Sequence, residues 1–375
     1  MKRVLVVEFG RMHGHVVYPE CVLLLAAGYE VTVLIGASNP EILMLETLQD
    51  RIRLEKIECG GKRFCLLHKL FYHARQDYER VYFTTMELYE DIVLYLLFAL
   101  LMPKPIAYVL HILKPSYGET WLQRLLYRLL YWRTERIYVL SENILSNART
   151  ILPAAMQPKL TYFSPVFFPE YLSPDQSVNN GDERIDILIL GRLDLRRRSY
   201  KALCDVLPQL AASDLRHRVR IHLLGQFILY GFADFVQEFV CRAAEHDLLQ
   251  KTIKLYSDSY MDFDQMAVYL RQADFLMPLI HADVQASMNY AQQIYPSVLM
   301  WSQAFAIPLI SSRDFPVDAQ LHPFTLWYDS DDIMTGLEAA VELYESPEYQ
   351  QKRTDYRRHT DRLFKPSQEN FIHAG

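Results

Sequence analysis

The sequence lacks the marks of several protein classes. Its five cysteines, Cys21, Cys59, Cys65, Cys204 and Cys241, are scattered and odd in number, with no CxxC pair. That argues against a disulfide framework or a cysteine zinc site, and it suits a reducing cytoplasm. Long apolar runs are missing too. The longest, Ile92 to Met102, has 11 residues and stops at Pro103. A helix needs about 20 to cross a bilayer, so this stretch reads as a buried helix. The apolar start, Val4 to Phe9, is too short for a signal peptide and reads as a first strand. Positive charge is not in excess: 39 Lys+Arg stand against 45 Asp+Glu, a net charge of -6. Bulk nucleic-acid binding does not fit that balance. Short-period repeats and low-complexity segments are absent as well.

What is present fits a folded protein of 375 residues, 51% hydrophobic, with a mean hydropathy of -0.04. That length holds about two domains. Strand and helix signals alternate from the start. Val4–Phe9, Tyr29–Ile35, Arg80–Phe83, Ile106–Leu110 and Arg136–Leu140 read as strands, and Val16–Ala27 as a helix stopped by Gly28. Such alternation predicts an α/β fold with a parallel, doubly wound sheet. Residues 163–184 then collect Pro165, Pro169, Pro174 and a polar run, which predicts a linker. The pattern restarts with strands at Ile185–Leu190, Val219–Leu224, Ile253–Tyr256, Phe275–Pro278 and Ile307–Ser311. We read an N-terminal Rossmann-like domain over 1–165, a linker over 166–184, a second Rossmann-like domain over 185–350, and a helical tail over 351–375 that packs back on the first domain.

Ligands of open α/β sheets sit beyond the carboxyl ends of the strands. Gly10-Arg11-Met12-His13-Gly14-His15 follows the first strand and offers a tight turn with free N–H groups. It is not GxGxxG, and no acidic residue tops the second strand, so a nicotinamide enzyme is disfavoured. After Leu190 comes Gly191-Arg192-Leu193-Asp194-Leu195-Arg196-Arg197-Arg198, a dense cationic stretch whose guanidinium forks suit diphosphate oxygens. Pro296 and Ser297 start a helix whose N-terminus favours an anion. Asp329-Ser330-Asp331-Asp332 contains a D-x-D triplet, read first as a helix cap. Trp121–Arg133 is a basic, aromatic, amphipathic helix, which fits either a half-buried helix or an anionic membrane surface.

In order and spacing these features resemble GT-B glycosyltransferases, nearest the retaining family 4 group. Gly28-Tyr29-Glu30-Val31-Thr32-Val33-Leu34 is similar to that family's "GHEVTVLT"-like strand. Leu110-His111-Ile112 resembles its strand-end histidine, and Arg136 to Glu142 its "adrviavSe" strand. Gly191-Arg192 with Arg197 resembles "GR…EKG". Ala273 to Pro278, Ile307 to Ile310 and Asp329 to Glu348 resemble its closing motifs. The resemblance implies transfer of a sugar from a nucleotide-sugar donor to a glycan or lipid-linked acceptor, with no metal or other cofactor. It implies catalytic roles for His111, Arg192 and Arg197. Donor contacts would come from Gly10, His13, Gly14, Gly191, Arg192, Arg197, Gln293, Tyr295 and Ser297, and acceptor contacts from His15 and Tyr117. The setting it implies is cell-envelope polysaccharide or glycoconjugate synthesis in the cytoplasm, with peripheral contact at the inner membrane.

One departure stands out. The family carries two glutamates eight residues apart, and counting back from Pro308 those positions hold Gln293 and Trp301. An indole has no acceptor for a ribose hydroxyl. Two alternatives therefore stay open: a non-catalytic GT-B subunit, and a sugar-nucleotide epimerase on the same fold.

Overall fold

The computed structural model describes residues 2–8, 14–39, 42–57, 63–85, 92–113, 121–168, 184–191, 194–225, 233–256, 263–284 and 292–373. They form two compact units. Unit 1 comprises residues 1–169, 292–295 and 362–375; unit 2 comprises 170–291 and 296–361.

Unit 1 is built on a seven-stranded parallel sheet. Its strands are β1 (Arg3–Glu8), β2 (Glu30–Gly36), β3 (Ile52–Ile57), β4 (Arg80–Phe83), β5 (Ile106–Val109), β6 (Thr134–Val139) and β7 (Leu160–Tyr162), in the order 3-2-1-4-5-6-7. β1 lies between β2 and β4, with Val6 opposite both Val33 and Tyr82. Val4 to Val7 are fully buried, as a parallel strand covered on both faces requires. The helix Val17–Ala26 ends where Gly28 takes φ +82° and Tyr29 N–H reaches back to Leu24 O at 3.1 Å. That six-to-one closure needs a residue tolerant of positive φ, which glycine supplies.

Unit 2 repeats the design with six parallel strands: β8 (Ile185–Leu190), β9 (Val219–Leu224), β10 (Ile253–Tyr256), β11 (Phe275–Leu276), β12 (Leu309–Ser312) and β13 (Thr325–Tyr328). Their order is 10-9-8-11-12-13, the arrangement of a dinucleotide-binding half-sheet pair. In each unit the strand order reverses beside the first strand, between β1 and β4 and between β8 and β11.

Three strands carry no signal that we read in the sequence. β3 is an edge strand, Ile-Arg-Leu-Glu-Lys-Ile, with its charges in the middle. β7 has only three residues, and β13 only four. Two expected strands are shorter or shifted: β11 stops at Leu276 and β12 starts at Leu309. The sequence pattern closes the second domain at residue 350. The helix Glu348–Arg362 instead packs within unit 2, where Tyr356 OH meets Ser302 Oγ at 2.7 Å and Thr360 donates to Gln303 O at 2.8 Å. The following helix, Phe364–His373, packs on unit 1. Phe371 sits among Tyr82, Tyr138 and Phe163, and Tyr138 OH donates to its carbonyl at 2.6 Å.

Candidate functional site

The strand ends of unit 1 converge on Thr84, the residue after β4. Its N–H donates to Val7 O at 3.1 Å, tying it to β1. Its hydroxyl donates to Glu20 Oε2 at 2.6 Å, and its carbonyl lies 2.8 Å from His111 Nε2. A carbonyl only accepts, so Nε2 of His111 carries the proton and Nδ1 is the basic nitrogen. His111 is buried, and burial pushes its imidazole down to about 4; the bond to Thr84 works the other way, and nearby His15 adds to the fall. The ring is therefore neutral at pH 7. Glu20 is fully buried, and burial pushes its carboxyl up to about 8 despite the Thr84 hydroxyl; Glu8 adds to the rise. A protonated acid and a neutral imidazole thus share one threonine.

Of the unit 1 residues expected at the site, His111 stands at the end of β5, and His15 lies within electrostatic reach of it. Gly14 opens a short 3-10 turn, Gly14–Val16. Gly10, His13 and Tyr117 lie outside the described residues. Gln293 and Tyr295 belong to unit 1 although they come late in the chain. Leu113 N–H donates to Gln293 O at 2.8 Å, Ile112 bridges Ile294 antiparallel, and Tyr295 packs on the unit 1 core. The segment 292–295 therefore lies beside the residues that follow His111.

In unit 2 the centre is the turn after β8. Gly191 takes φ +113°, and a Cβ there would stand 3.2 Å from a guanidinium nitrogen of Arg198. That guanidinium donates to Leu190 O and to Arg197 O, each at 2.9 Å. Arg198 is buried, so the arginine run is not simply a row of solvated cations. Asp194 organises two others. Its carboxylate takes two bonds from Arg196, at 3.0 and 2.9 Å, and lies 3.8 Å from Arg197 Nε. Burial would raise the Asp194 carboxyl, but the bonds and charge of Arg196, with Arg197, hold it below its ordinary value. Arg197 remains 49% exposed, and Arg192 lies outside the described residues.

Sequence reasoning missed the groups that brace this turn. Ser199 N–H donates to Leu279 O at 2.8 Å, and its hydroxyl donates to Asp283 Oδ1 at 2.9 Å while accepting from His281 N at 3.1 Å. The braced segment follows β11, and its Leu279 takes φ +51°, a conformation costly for a branched side chain. His281 is buried, which lowers its pKa, and its Nε2 lies 2.9 Å from Tyr328 OH at the end of β13. A lone serine after an arginine run gives no signal of such a bracing role.

Two other expectations meet plain outcomes. Trp301, at the position of the second family glutamate, is buried in the helix Ser297–Phe305 with its ring edge-on to Phe305. Ser297, the first residue of that helix, is exposed, and the capping Pro296 offers no side-chain bond. In the D-x-D stretch, Asp329 pairs with Arg313 at 3.2 Å and Asp332 caps the helix Ile333–Glu345 through Thr335 N at 3.2 Å. Among the described residues, no group of three or more His, Cys, Asp or Glu side chains is arranged to hold a metal ion.

Charge also collects at the amino edge of the unit 2 sheet. There Asp186 binds Arg220 and lies 2.7 Å from His222 Nε2. Ligands of parallel sheets bind at the opposite edge, so this network serves the core.

No family model and no curated protein sequence matches the chain. Solved structures do. HepE from Anabaena, solved with UDP and glucose, is 13% identical with a TM-score of 0.64; the match covers 100% of this chain and 97% of that one. A glycosyltransferase from Rickettsia africae is 10% identical with a TM-score of 0.68, covering 100% and 98%. A UDP-forming α,α-trehalose-phosphate synthase from Burkholderia xenovorans, solved with glucose-6-phosphate, is 11% identical with a TM-score of 0.59, covering 99% of each. The chain has the GT-B fold. At these identities the likeness concerns architecture, and the activity has to be argued from the residues.

Proposed function

We propose that this protein is a GT-B glycosyltransferase that moves a sugar from a nucleotide-sugar donor to a glycan or lipid-linked acceptor. The observation that carries the reading is the Gly191 turn. It sets the guanidinium of Arg198 beside Leu190 O, with Arg197 still half open, where the strand order reverses. Cations fixed there suit a nucleoside diphosphate, and the full-length likeness to HepE, solved with UDP and glucose, supports the same ligand class.

In this reading Arg192 and Arg197 stabilise the charge that grows on the departing diphosphate, a preorganised electrostatic role that needs no metal. The backbone around Gly191 approaches the phosphates, and Gln293, Tyr295 and Ser297 contact the donor. Gly10, His13, Gly14 and His111 face the sugar, with His111 offering a fixed neutral imidazole. His15 and Tyr117 meet the acceptor. The enzyme works in the cytoplasm, at the membrane face, in cell-envelope polysaccharide or glycoconjugate synthesis, within the family 4 group.

Calorimetry against UDP, GDP, ADP and CMP tests this. One nucleoside diphosphate binds the wild type, and Arg197→Ala weakens it by roughly tenfold, the worth of a lost charged hydrogen bond. Turnover of the matching nucleotide sugar persists in a chelator. Unchanged affinity in both Arg192→Ala and Arg197→Ala sinks the assignment. A second reading rests on Trp301, a buried indole at the position where the family pattern has its ribose carboxylate. It makes the chain a non-catalytic GT-B subunit, and failure of all four nucleotides to bind favours it.

A further inference from the structure

The helices Arg63–Ala74, Ile92–Leu101 and Trp121–Arg133 of unit 1 pack side by side. None of them contains Asp or Glu, in a chain whose net charge is -6. All three expose large apolar side chains, Phe71 and Tyr72 among them. Trp121 and Trp132 are each 75% exposed, and they are two of only four tryptophans in the chain. Eleven residues apart, they fall on one helix face roughly 16 Å apart along the axis. Leu125 and Leu129 flank them on one side, and Arg124 and Arg128 on the other, all exposed. The inner face of the same helix, with Leu126, Leu130 and Tyr131, packs on the core.

The neighbouring helix extends the apolar side. Leu97, Leu100 and Leu101 are exposed at i, i+3 and i+4, a single stripe. Arg133 ties its helix to the segment that follows the other, donating to Lys104 O at 2.9 Å and to Met102 O. An exposed leucine is ordinary by itself, but exposed leucines on two packed helices, together with two tryptophans each 75% exposed, mark a contact surface.

We propose that this three-helix face docks on an anionic lipid bilayer. The chemistry selects that occupant. Indoles settle at the headgroup level of a membrane, leucines enter the acyl boundary, and arginines on helices that hold no acidic residue are drawn to anionic headgroups. A second copy of the chain fits worse. A two-fold contact lays the patch on itself, so that basic helices which themselves hold no Asp or Glu face one another. The surface rests on the membrane-side reading above and names its partner.

Flotation of the full chain with vesicles tests it. At low salt, vesicles of phosphatidylglycerol and phosphatidylcholine carry the protein up, pure phosphatidylcholine carries much less, and raised salt weakens the binding. Arg124→Gln with Arg128→Gln lowers partitioning to the anionic vesicles by roughly 25-fold, about fivefold per arginine. Trp121→Ala with Trp132→Ala abolishes flotation while the melting temperature stays put. Wild type that stays at the bottom of the gradient at low salt overturns the proposal. So does a dimer that the tryptophan pair dissolves in light scattering, which assigns the face to a second copy. Nucleotide affinity measured without vesicles reports on the glycosyltransferase reading separately, and the two can fail independently.

Discussion

The two sheets share a strand order and differ in what their strand ends hold. Unit 1 gathers neutral, buried groups around one threonine: a carboxyl kept protonated and an imidazole kept uncharged. Unit 2 gathers charge: an ionised Asp194 and three arginines at graded depths, from two-thirds exposed at Arg196 through half exposed at Arg197 to buried at Arg198. Topology therefore fixes where the chemistry stands, while the partners that meet each buried group decide whether it is charged: Glu20 meets a hydroxyl, and Asp194 meets arginines. A neutral end suits the handling of sugar hydroxyls, and a cationic end suits a diphosphate.

The sharpest way to break that contrast is to remove the buried cation of unit 2. Arg198→Ala strands the carbonyls of Leu190 and Arg197 and leaves a hole against Gly191. We expect a loss of about 3 kcal/mol in urea unfolding, from unmet hydrogen bonds and a cavity. An exposed cation three residues on makes the comparison: Lys201→Ala costs no more than ~0.5 kcal/mol. Equal losses for the two variants defeat the claim that Arg198 is structural.

The neutral end is tested by pH. The Glu20 carboxyl sits near 8 in the folded chain against an ordinary 4.5, so its protonated form favours folding. That contribution is complete below pH 4.5, erodes as pH rises, and is gone above 8. His111 runs the other way. Its folded value near 4, against 6.5, favours folding above pH 6.5 and loses that benefit as pH falls toward 4. Glu20→Gln should therefore remove the Glu20 share of the fall in melting temperature between pH 4.5 and 8, and leave the profile below pH 4.5 unchanged. If Glu20→Gln keeps the wild-type slope between pH 4.5 and 8, the buried neutral acid is refuted.

The smallest effect belongs to the D-x-D stretch. Asp329 makes an exposed pair with Arg313, which is worth at most about 1 kcal/mol. Asp329→Asn should cost less than that and leave calorimetric titrations with Mn2+ unaltered. A divalent ion that binds the wild type and not the variant makes Asp329 a metal ligand instead of a partner of Arg313 alone.

How much of this is legible in the sequence depends on burial. β1, β8 and β9 sit in the sheet interiors and advertise themselves as apolar runs, so the doubly wound units are readable. β3 lies at an edge and interleaves charge with apolar residues, so its sequence looks like a loop. His111 and Gly191 stand out because strand ends are where ligands bind. The inward turn of Arg198 does not, since three adjacent arginines read alike until one fills the space a glycine leaves. Thr84 and Ser199 escape for a related reason. Their importance lies in partners far along the chain, and no spacing rule announces a hydroxyl that bridges them.

The excursions of the chain between units carry a consequence for its making. Phe371 completes an aromatic cluster with Tyr82, Tyr138 and Phe163. Roughly 200 residues separate it from the last of those partners. At about 5–20 residues per second, a ribosome takes some 10–40 s to cover that distance. Unit 2 has its whole sequence once residue 361 is made, so it can close while unit 1 still waits for its last helix. The half that begins first finishes last.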